Sequence, residues 1–405
     1  GTDLYVGGYF TTAGGGTVNY VAKYTPSTQT WSALNTGTVG VNNVVRAFAV
    51  IDSDLYVGGS FTTAGGGAVN YIAKYTPSTQ TWSALGAAGA VGTNGSVYAL
   101  AVFNADLYVG GAFTTAGGTA VNYIAKYTPL ADTWAAITTA STGVNGQVYS
   151  IIVMGDSLYV GGPFSYAGGI YVCYIAKYTP STNTWSALNS GTVGVVSSPY
   201  LNSLVVIDND LYVGGYFITA GGINVNYIAK YTPSTRTWAA LNTSAVGANS
   251  TVRAIAVMGT DLYVGGNFTT VGGVAVNYIA KYVPSTGTWS ALNSGTVGTN
   301  DAVYSLAVLG TDLYVGGAFT TAGGVTVNYI AKYAPSTQTW SALNTDAVGV
   351  SNIVRALAVM DGNLYVGGDF GIAGNVAVYN IAKYEPLTNT WTALGTGTVG
   401  VSSSV

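Results

Sequence analysis

The stretch Leu55 to Leu85, LYVGGSFTTAGGGAVNYIAKYTPSTQTWSAL, recurs seven more times along this chain with few changes. The leucine opening each copy is Leu4, Leu55, Leu107, Leu158, Leu211, Leu262, Leu313 and Leu364, and the closing tryptophan is Trp31, Trp82, Trp134, Trp185, Trp238, Trp289, Trp340 and Trp391. A period of 51 to 53 residues covers essentially every position. A repeat of that length constrains the fold more than any propensity, because one short unit cannot bury its own faces and must stack on its neighbours. Neither composition nor period changes along the chain. The expectation is therefore one domain over residues 1–405, with units starting near residues 4, 55, 107, 158, 211, 262, 313 and 364.

Each unit reads as four short strands. The first, Val44 to Ile51 (VVRAFAVI), is a nearly continuous apolar run of the kind expected for a strand buried on both faces. Turn chemistry follows at Asp52-Ser53, Gly155-Asp156, Asp208-Asn209 and Asp361-Gly362. The second strand runs from Asp54 to Phe61, and its Gly58-Gly59 pair marks a bulge or a close backbone approach. A TTAGGG loop leads to a third strand, Val69 to Thr76, then the turn Pro77–Gln80 and a short fourth strand, Thr81 to Leu85. Helical periodicity is absent. Four-stranded meanders repeated eight times around an axis give an all-β, eight-bladed β-propeller of antiparallel blades. A linear solenoid is the competing architecture, and it suits one strand per coil rather than a whole sheet per unit.

Composition narrows the function. Charged residues are 7% of the chain and net charge is −3, while hydrophobic residues are 49%. The surface is thus neutral, rich in hydroxyls and amides. It lacks the clustered lysine and arginine that nucleic acid or anionic membrane would require. The chain has no histidine, which removes the commonest general base and metal ligand. Cys173 is the single cysteine and stands where other copies carry Asn70, Asn122 or Asn226, so it reads as drift within a repeat. No apolar run is long enough to span a bilayer, and no cofactor or metal site is expected.

LYVGG followed by Tyr75, Pro77 and Trp82 in YTPSTQTW resembles the kelch repeat along the whole chain. That resemblance implies an innermost first strand and an outermost tryptophan strand. Two departures stand out: Thr, Val, Ala or Glu precedes the turn proline where kelch repeats usually have Asp, and FTTAGG has no counterpart in the general motif. The FTTAGG…AKY…TWSAL form is similar to repeats in surface proteins of microbes and large viruses, which implies location rather than activity.

Eight copies of LYVGG come with seven inner strands, which begin near Val44, Val97, Val148, Leu201, Val252, Val303 and Val354. Residue Val405 aligns with Val45. Closing the first blade is therefore expected to need a strand near or beyond the C-terminus, roughly six to eight residues past Val405. Without it a strand edge stays open, able to accept a strand from another chain.

The tryptophan, tyrosine and glycine ladders read as framework. The eight lysines, Lys23, Lys74, Lys126, Lys177, Lys230, Lys281, Lys332 and Lys383, occupy one repeat position. They are expected to pair with Asp3, Asp54, Asp106, Asp210, Asp261 and Asp312 of the adjacent strand, with Asp156 and Asp361 substituting where that aspartate is lost. The alternative is a lysine ring for a polyanion.

Departures from the repeat carry more. Leucine to tryptophan is always 27 residues, whereas tryptophan to the next leucine is 24, except 25 after Trp82 and 26 after Trp185. All length variation thus falls between fourth and first strands, on the face shared with the TTAGG loops, where binding is expected. One inner-strand position on that face reads Arg46, Tyr98, Tyr149, Asn202, Arg253, Tyr304 and Arg355. Arginine and tyrosine dominate binding hot spots, so this ring at the channel mouth is the candidate site; the plain alternative is a water-filled lining. A two-carboxylate hydrolase would have to be built from Asp301, Asp346 and Asp369.

The leading expectation is a non-catalytic propeller displayed on a cell, envelope or particle surface, with a protein or glycan as partner. Sequons at Asn94, Asn242, Asn249 and Asn267 fit such display. A structural module of a fibre, sheath or particle, self-assembling through strand edges, is the other reading.

Overall fold

The computed structural model describes residues 3–35, 37–87, 89–137, 143–188, 195–196 (backbone only), 201–242, 247–293, 298–344, 349–395 and 400–403. Eight antiparallel sheets, one per copy of LYVGG, stand around an axis; each is called a blade and numbered by its copy. Blade 2 is typical: inner strand Val45–Ile51, second strand Asp54–Gly59, third strand Ile72–Thr76 and fourth strand Thr81–Ser83, hydrogen-bonded in that order. Blades 3 to 8 repeat this order. Inner strands of successive blades touch one another around the axis, and the tryptophan strands lie outermost.

The core lies between blades rather than within them. Eight buried clusters each mix residues of two neighbours, as where Ile51, Tyr56, Ile72 and Leu85 of blade 2 meet Val97, Leu107, Val109 and Phe113 of blade 3. Within a blade, Tyr75 packs on Trp82 with ring centroids 5.1 Å apart. Between blades, Tyr56 packs on Tyr127 at 6.3 Å. Burying ~200 Å² of an aromatic side chain at about 25 cal/mol per Å² contributes on the order of 5 kcal/mol, so these ladders supply much of the cohesion. In four of the eight blades the indole N–H also donates to the preceding blade, as from Trp82 Nε1 to the Leu34 carbonyl at 2.7 Å and from Trp134 Nε1 to that of Leu85 at 2.9 Å.

The Gly-Gly pair is a close approach. A Cβ at Gly58 would lie 2.4 Å from Val97 Cγ1, and one at Gly59 would lie 2.2 Å from the Val44 carbonyl oxygen. The bulge sits across from the pair, in the inner strand, where the register slips between Val45 and Ala47. FTTAGG forms a small hairpin, Thr63–Ala64 with Gly67–Ala68, turning through Gly65 and Gly66 at φ of +56° and +84°. The third strand is accordingly shorter than the sequence reading. It follows an Asn70-Tyr71 pair that also has positive φ, where Cys173 takes the asparagine's place at φ +43°.

The inner strand packs on both faces, as where Val97, Leu100 and Val102 of blade 3 meet blade 2 and Phe103 meets blade 4; Val50, which faces the three-stranded blade 1 beside Tyr5, is 59% exposed. Blade 1 has three strands among the described residues, Leu4–Gly7, Val21–Thr25 and Thr30–Ala33, and lacks an inner strand, as the count of seven inner strands for eight copies implied. Its ring contacts are nonetheless made. Val401 bridges Ala13, Gly14 N donates to the Gly400 carbonyl at 2.9 Å, and the Trp31 indole donates to the Leu394 carbonyl. The expected completing strand would start at Val405, which lies outside the described residues.

The lysine–aspartate pairs form at 3.2, 3.3, 3.1, 2.9, 2.7 and 3.3 Å for Lys23, Lys74, Lys126, Lys230, Lys281 and Lys332. Asp156 lies within electrostatic reach of Lys177, and hydrogen bonding from Ser157, more than that charge, lowers its pKa. Lys383, expected beside Asp361, instead pairs with Glu385 at 2.5 Å, since residues two apart on a strand share a face.

Candidate ligand-binding site

The site grows out of the inner-strand bulge. In six blades the register slips across the ring residue: Arg46, Tyr98, Asn202, Arg253, Tyr304 and Arg355. A bulged residue is released from the ladder and its side chain is re-aimed. Tyr149 lies just ahead of its strand Ser150–Met154, its N–H donating to the Gly161 carbonyl at 2.9 Å. All seven expected ring residues are therefore presented at one end of the channel, on consecutive blades.

They form two groups. Arg46, Tyr98 and Tyr149 line one bowl of about 430 Å³. The Arg46 guanidinium carbon stands 5.4 Å from the Tyr98 ring centroid, and Tyr98 packs on Tyr149 at 5.5 Å. Asn202, Arg253, Tyr304 and Arg355 line a second bowl, also of about 430 Å³, in which Arg253 stands 5.0 Å from the Tyr304 centroid. Such cation–π contacts hold a guanidinium in place while leaving its edge N–H groups exposed.

Each ring arginine is steadied by the residue fourteen positions later, just past its Gly-Gly pair. Arg46 Nε donates to Ser60 Oγ at 3.3 Å and Arg253 Nε to Asn267 Oδ1 at 2.7 Å. Arg355 grips Asp369, with Nε 2.9 Å from Oδ2 and a terminal nitrogen at 2.5 Å, and these hydrogen bonds push the guanidinium pKa further up. Behind the ring tyrosines the same position is Ala112, Pro163 and Ala318. The pairing of Arg with Ser, Asn or Asp, and of Tyr with Ala or Pro, is written in the sequence as two positions that change together from copy to copy. Read one position at a time, it goes unnoticed.

Of the hydrolase carboxylates, Asp369 is taken up by Arg355 and Asp301 accepts the Ala302 N–H at 2.6 Å; Asp346 lies outside the described residues. The sequon asparagines are all engaged within the fold. Asn94 accepts the N–H groups of Thr114 and Thr115 and donates to Thr114 Oγ1, and Asn249 does the same with Thr269 and Thr270. Asn267 holds Arg253, and Asn242 reaches the Gly272 carbonyl at 3.4 Å.

Sequence reasoning passed over an apolar patch on the same face. The hairpins of blades 4 and 5 carry Tyr166, Ile170, Tyr171, Ile218 and Ile223, and Tyr216 stands just ahead of the second hairpin, each at least 40% exposed. Tyr166 and Tyr171 stack edge-on at 5.4 Å. The longest inter-blade linker, after Trp185, joins this patch through Val195–Val196, which pairs with Thr219–Ala220. The signal was available: FSYAGGIYV and FITAGGIN depart from FTTAGGGAV at its otherwise small positions.

A family model described as the Rax2 C-terminal beta propeller domain matches residues 33–157 and 240–361, together more than half of the chain. A second, a beta-propeller domain of unknown function, matches residues 4–27. The polarized growth protein rax2 of Schizosaccharomyces pombe is 32% identical over 116 residues, covering 25% of this chain and 10% of that protein. The chain thus matches only a small part of that relative's length. Among solved structures, the computationally designed Ika8 protein is similar at a TM-score of 0.57 and 15% identity over 90% of both chains, a likeness of fold. The extracellular domain of the putative one component system BT4673 from B. thetaiotaomicron aligns at a TM-score of 0.41 and 16% identity, over 96% of this chain and 52% of that one.

Proposed function

This chain belongs to the Rax2 C-terminal beta propeller family, and from that premise we propose that it is a non-catalytic propeller, displayed on a cell or particle surface, that captures a protein or glycan at its channel mouth. The observation that carries the reading is the ring of side chains at the channel mouth, six of them set at inner-strand bulges. Three guanidiniums, each steadied from behind by Ser60, Asn267 or Asp369, and three phenols stand together at the channel mouth, as recognition by a fixed surface requires. The exposed tyrosine and isoleucine patch of blades 4 and 5 adds contact area on the same face. A neutral, hydroxyl-rich exterior with 7% charged residues supports surface display. The absence of histidine and the engagement of Asp369 by Arg355 support a non-catalytic role. The kelch-like strand order belongs to this reading as a resemblance of the repeat.

The test is capture on glycan and protein arrays by the chain and by a variant with Arg46, Arg253 and Arg355 all changed to Ala. Losing three hot-spot side chains worth about 1–2 kcal/mol each should weaken capture at least a hundredfold. Capture by the triple variant at wild-type strength would remove the ring as the site.

A further inference from the structure

The three ring arginines are not equivalent. Arg355 meets Asp369 side-on, through Nε and a terminal nitrogen together, and that pair is neutral overall. Arg46 and Arg253 are held by neutral acceptors and through Nε alone, Ser60 Oγ for the first and Asn267 Oδ1 for the second. Among the described residues no carboxylate stands within ion-pair distance of either, and their terminal nitrogens have no hydrogen-bond partner. Asp301, on the loop three residues before Tyr304, accepts the Ala302 N–H and pairs with no ring arginine.

The two unpaired arginines repeat one design. Each guanidinium lies over the tyrosine of the following blade, Arg46 at 5.4 Å from the Tyr98 centroid and Arg253 at 5.0 Å from that of Tyr304. Each is also braced from behind. Ser60 Oγ accepts the Ser96 hydroxyl at 3.1 Å, and the Asn202 amide donates to the Val252 carbonyl at 2.9 Å, which fixes the bulge that presents Arg253. Arg46 belongs to blade 2 and Arg253 to blade 6, four blades apart in a ring of eight, so they stand on opposite sides of the channel mouth.

A guanidinium whose Nε is occupied still presents its two terminal nitrogens to one oxyanion, as a pair of parallel charge-assisted hydrogen bonds. Two such groups make the mouth a receptor for anions. The remaining lining favours a sugar as their carrier. Both bowls are lined by guanidinium, phenol and amide groups without an aliphatic side chain, so a peptide finds no pocket there for an apolar anchor. The inner strands are hydrogen-bonded into their blades and offer no free edge to an extended peptide at the bowls. Sugar hydroxyls, by contrast, match the phenols and the Asn202 amide. A volume of about 430 Å³ per bowl lies within the range of small-ligand pockets, about 300–1,000 Å³. Resting on the ring as the binding site, we propose that its ligand is an acidic glycan, whose carboxylate- or sulfate-bearing sugars are held by Arg46 and Arg253 as two matching stations, while Asp369 keeps Arg355 out of charge recognition.

The test is capture by the full chain on an array that pairs acidic glycans with their neutral parents: oligogalacturonate with its methyl ester, sialyllactose with lactose, and a sulfated galactan with its desulfated form. The carboxylated and sulfated pairs separate the two oxyanions, and oligoglutamate stands in for an acidic peptide. The captured glycans should be acidic, with their neutral parents bound about tenfold or more weakly. Arg46→Gln and Arg253→Gln should each weaken capture about tenfold, since each removes one charge-assisted pair of hydrogen bonds. Asp369→Asn should do the reverse and strengthen capture several-fold, because it frees a third guanidinium; a neutral ligand would not respond in this way. Equal capture of the neutral parents, capture of no acidic glycan, preference for oligoglutamate, or unchanged capture by all three variants would each overturn the assignment. If the triple alanine variant nonetheless loses whatever the chain captures, the ring remains the site and only its acidic-glycan selectivity falls.

Discussion

At the scale of single residues, the same amino acid does opposite jobs at different places in the unit. Gly265 is required because its missing side chain leaves room for Val303, 2.4 Å from the virtual Cβ. Gly310 meets nothing within 4 Å and serves only its φ of +62°, at a turn position that Asp52 fills at φ +55° in blade 2. Gly265→Ala should therefore cost about 1–3 kcal/mol through overpacking. Gly310→Asp should stay within about 0.5 kcal/mol of the parent, as a surface substitution that the local conformation accepts. Urea denaturation of the two variants checks the contrast, and equal effects would contradict the seating of Val303. The lysine–aspartate pairs belong at the other end of the range. With both partners about a quarter to a third exposed, they are worth under ~1 kcal/mol each and serve mainly to fix register.

At the scale of elements, the linker between blades behaves as a clamp. In blade 2 the Asn70 carbonyl accepts the Thr93 N–H at 2.9 Å while its amide donates to the Val91 carbonyl at 3.2 Å, and Thr93 bridges Ala116 of blade 3. Asn70→Ala removes the amide contact and places alanine at φ +52°, so a loss of about 1–3 kcal/mol is expected, together with faster exchange at the Thr93 amide. Unchanged exchange there would show that the linker is held by other means. The strand order, the turns and the outer tryptophan were legible in the sequence because period and turn chemistry encode them locally. The short hairpin of FTTAGG was not, since its two-residue strands carry no alternation and its turn depends on Gly65 and Gly66 adopting positive φ. The burial of the inner strands between blades was legible in their apolar runs; the exposure of Val50 was not, because it depends on the three-stranded neighbour that this residue faces. Ring membership was legible from alignment of the copies; the bulge that releases Arg46 was not, since it follows from the tight approach of Gly59 to the Val44 carbonyl. Lys383 was assigned to Asp361 because the sequence pattern favoured aspartate, yet Glu385, the chain's sole glutamate, lay two residues away.

At the scale of the whole molecule, tyrosines buried between blades set the alkaline limit. Desolvation, with help from Asp54, raises Tyr56 to about 12; Tyr263 and Tyr365 reach about 12 for the same leading reason. Their hydroxyls ionise near pH 10 in the unfolded chain. The folded state therefore retains protons that the unfolded state releases above that pH. This contribution to stability is complete below about pH 10 and is lost as pH rises toward about 12. With no histidine in the chain, little change is expected between about pH 6 and 8. Tyrosinate absorbance followed alongside circular dichroism should show a class of tyrosines that ionises only as the fold is lost. Ionisation of every tyrosine near pH 10 with the fold intact would contradict their burial.

The seating of an inner-strand valine on the preceding blade's glycine points one way around the ring. Every unit thus has a leading side and a trailing side, and any trailing side matches any leading side. Contacts of this head-to-tail kind carry no record of how many units they join. Unequal recombination within the gene, deleting or duplicating one repeat, would leave each remaining junction intact and change only the blade count. The bore of the channel and the number of side chains at its rim would change with it, so a lineage could try new ligands by counting blades rather than by altering residues.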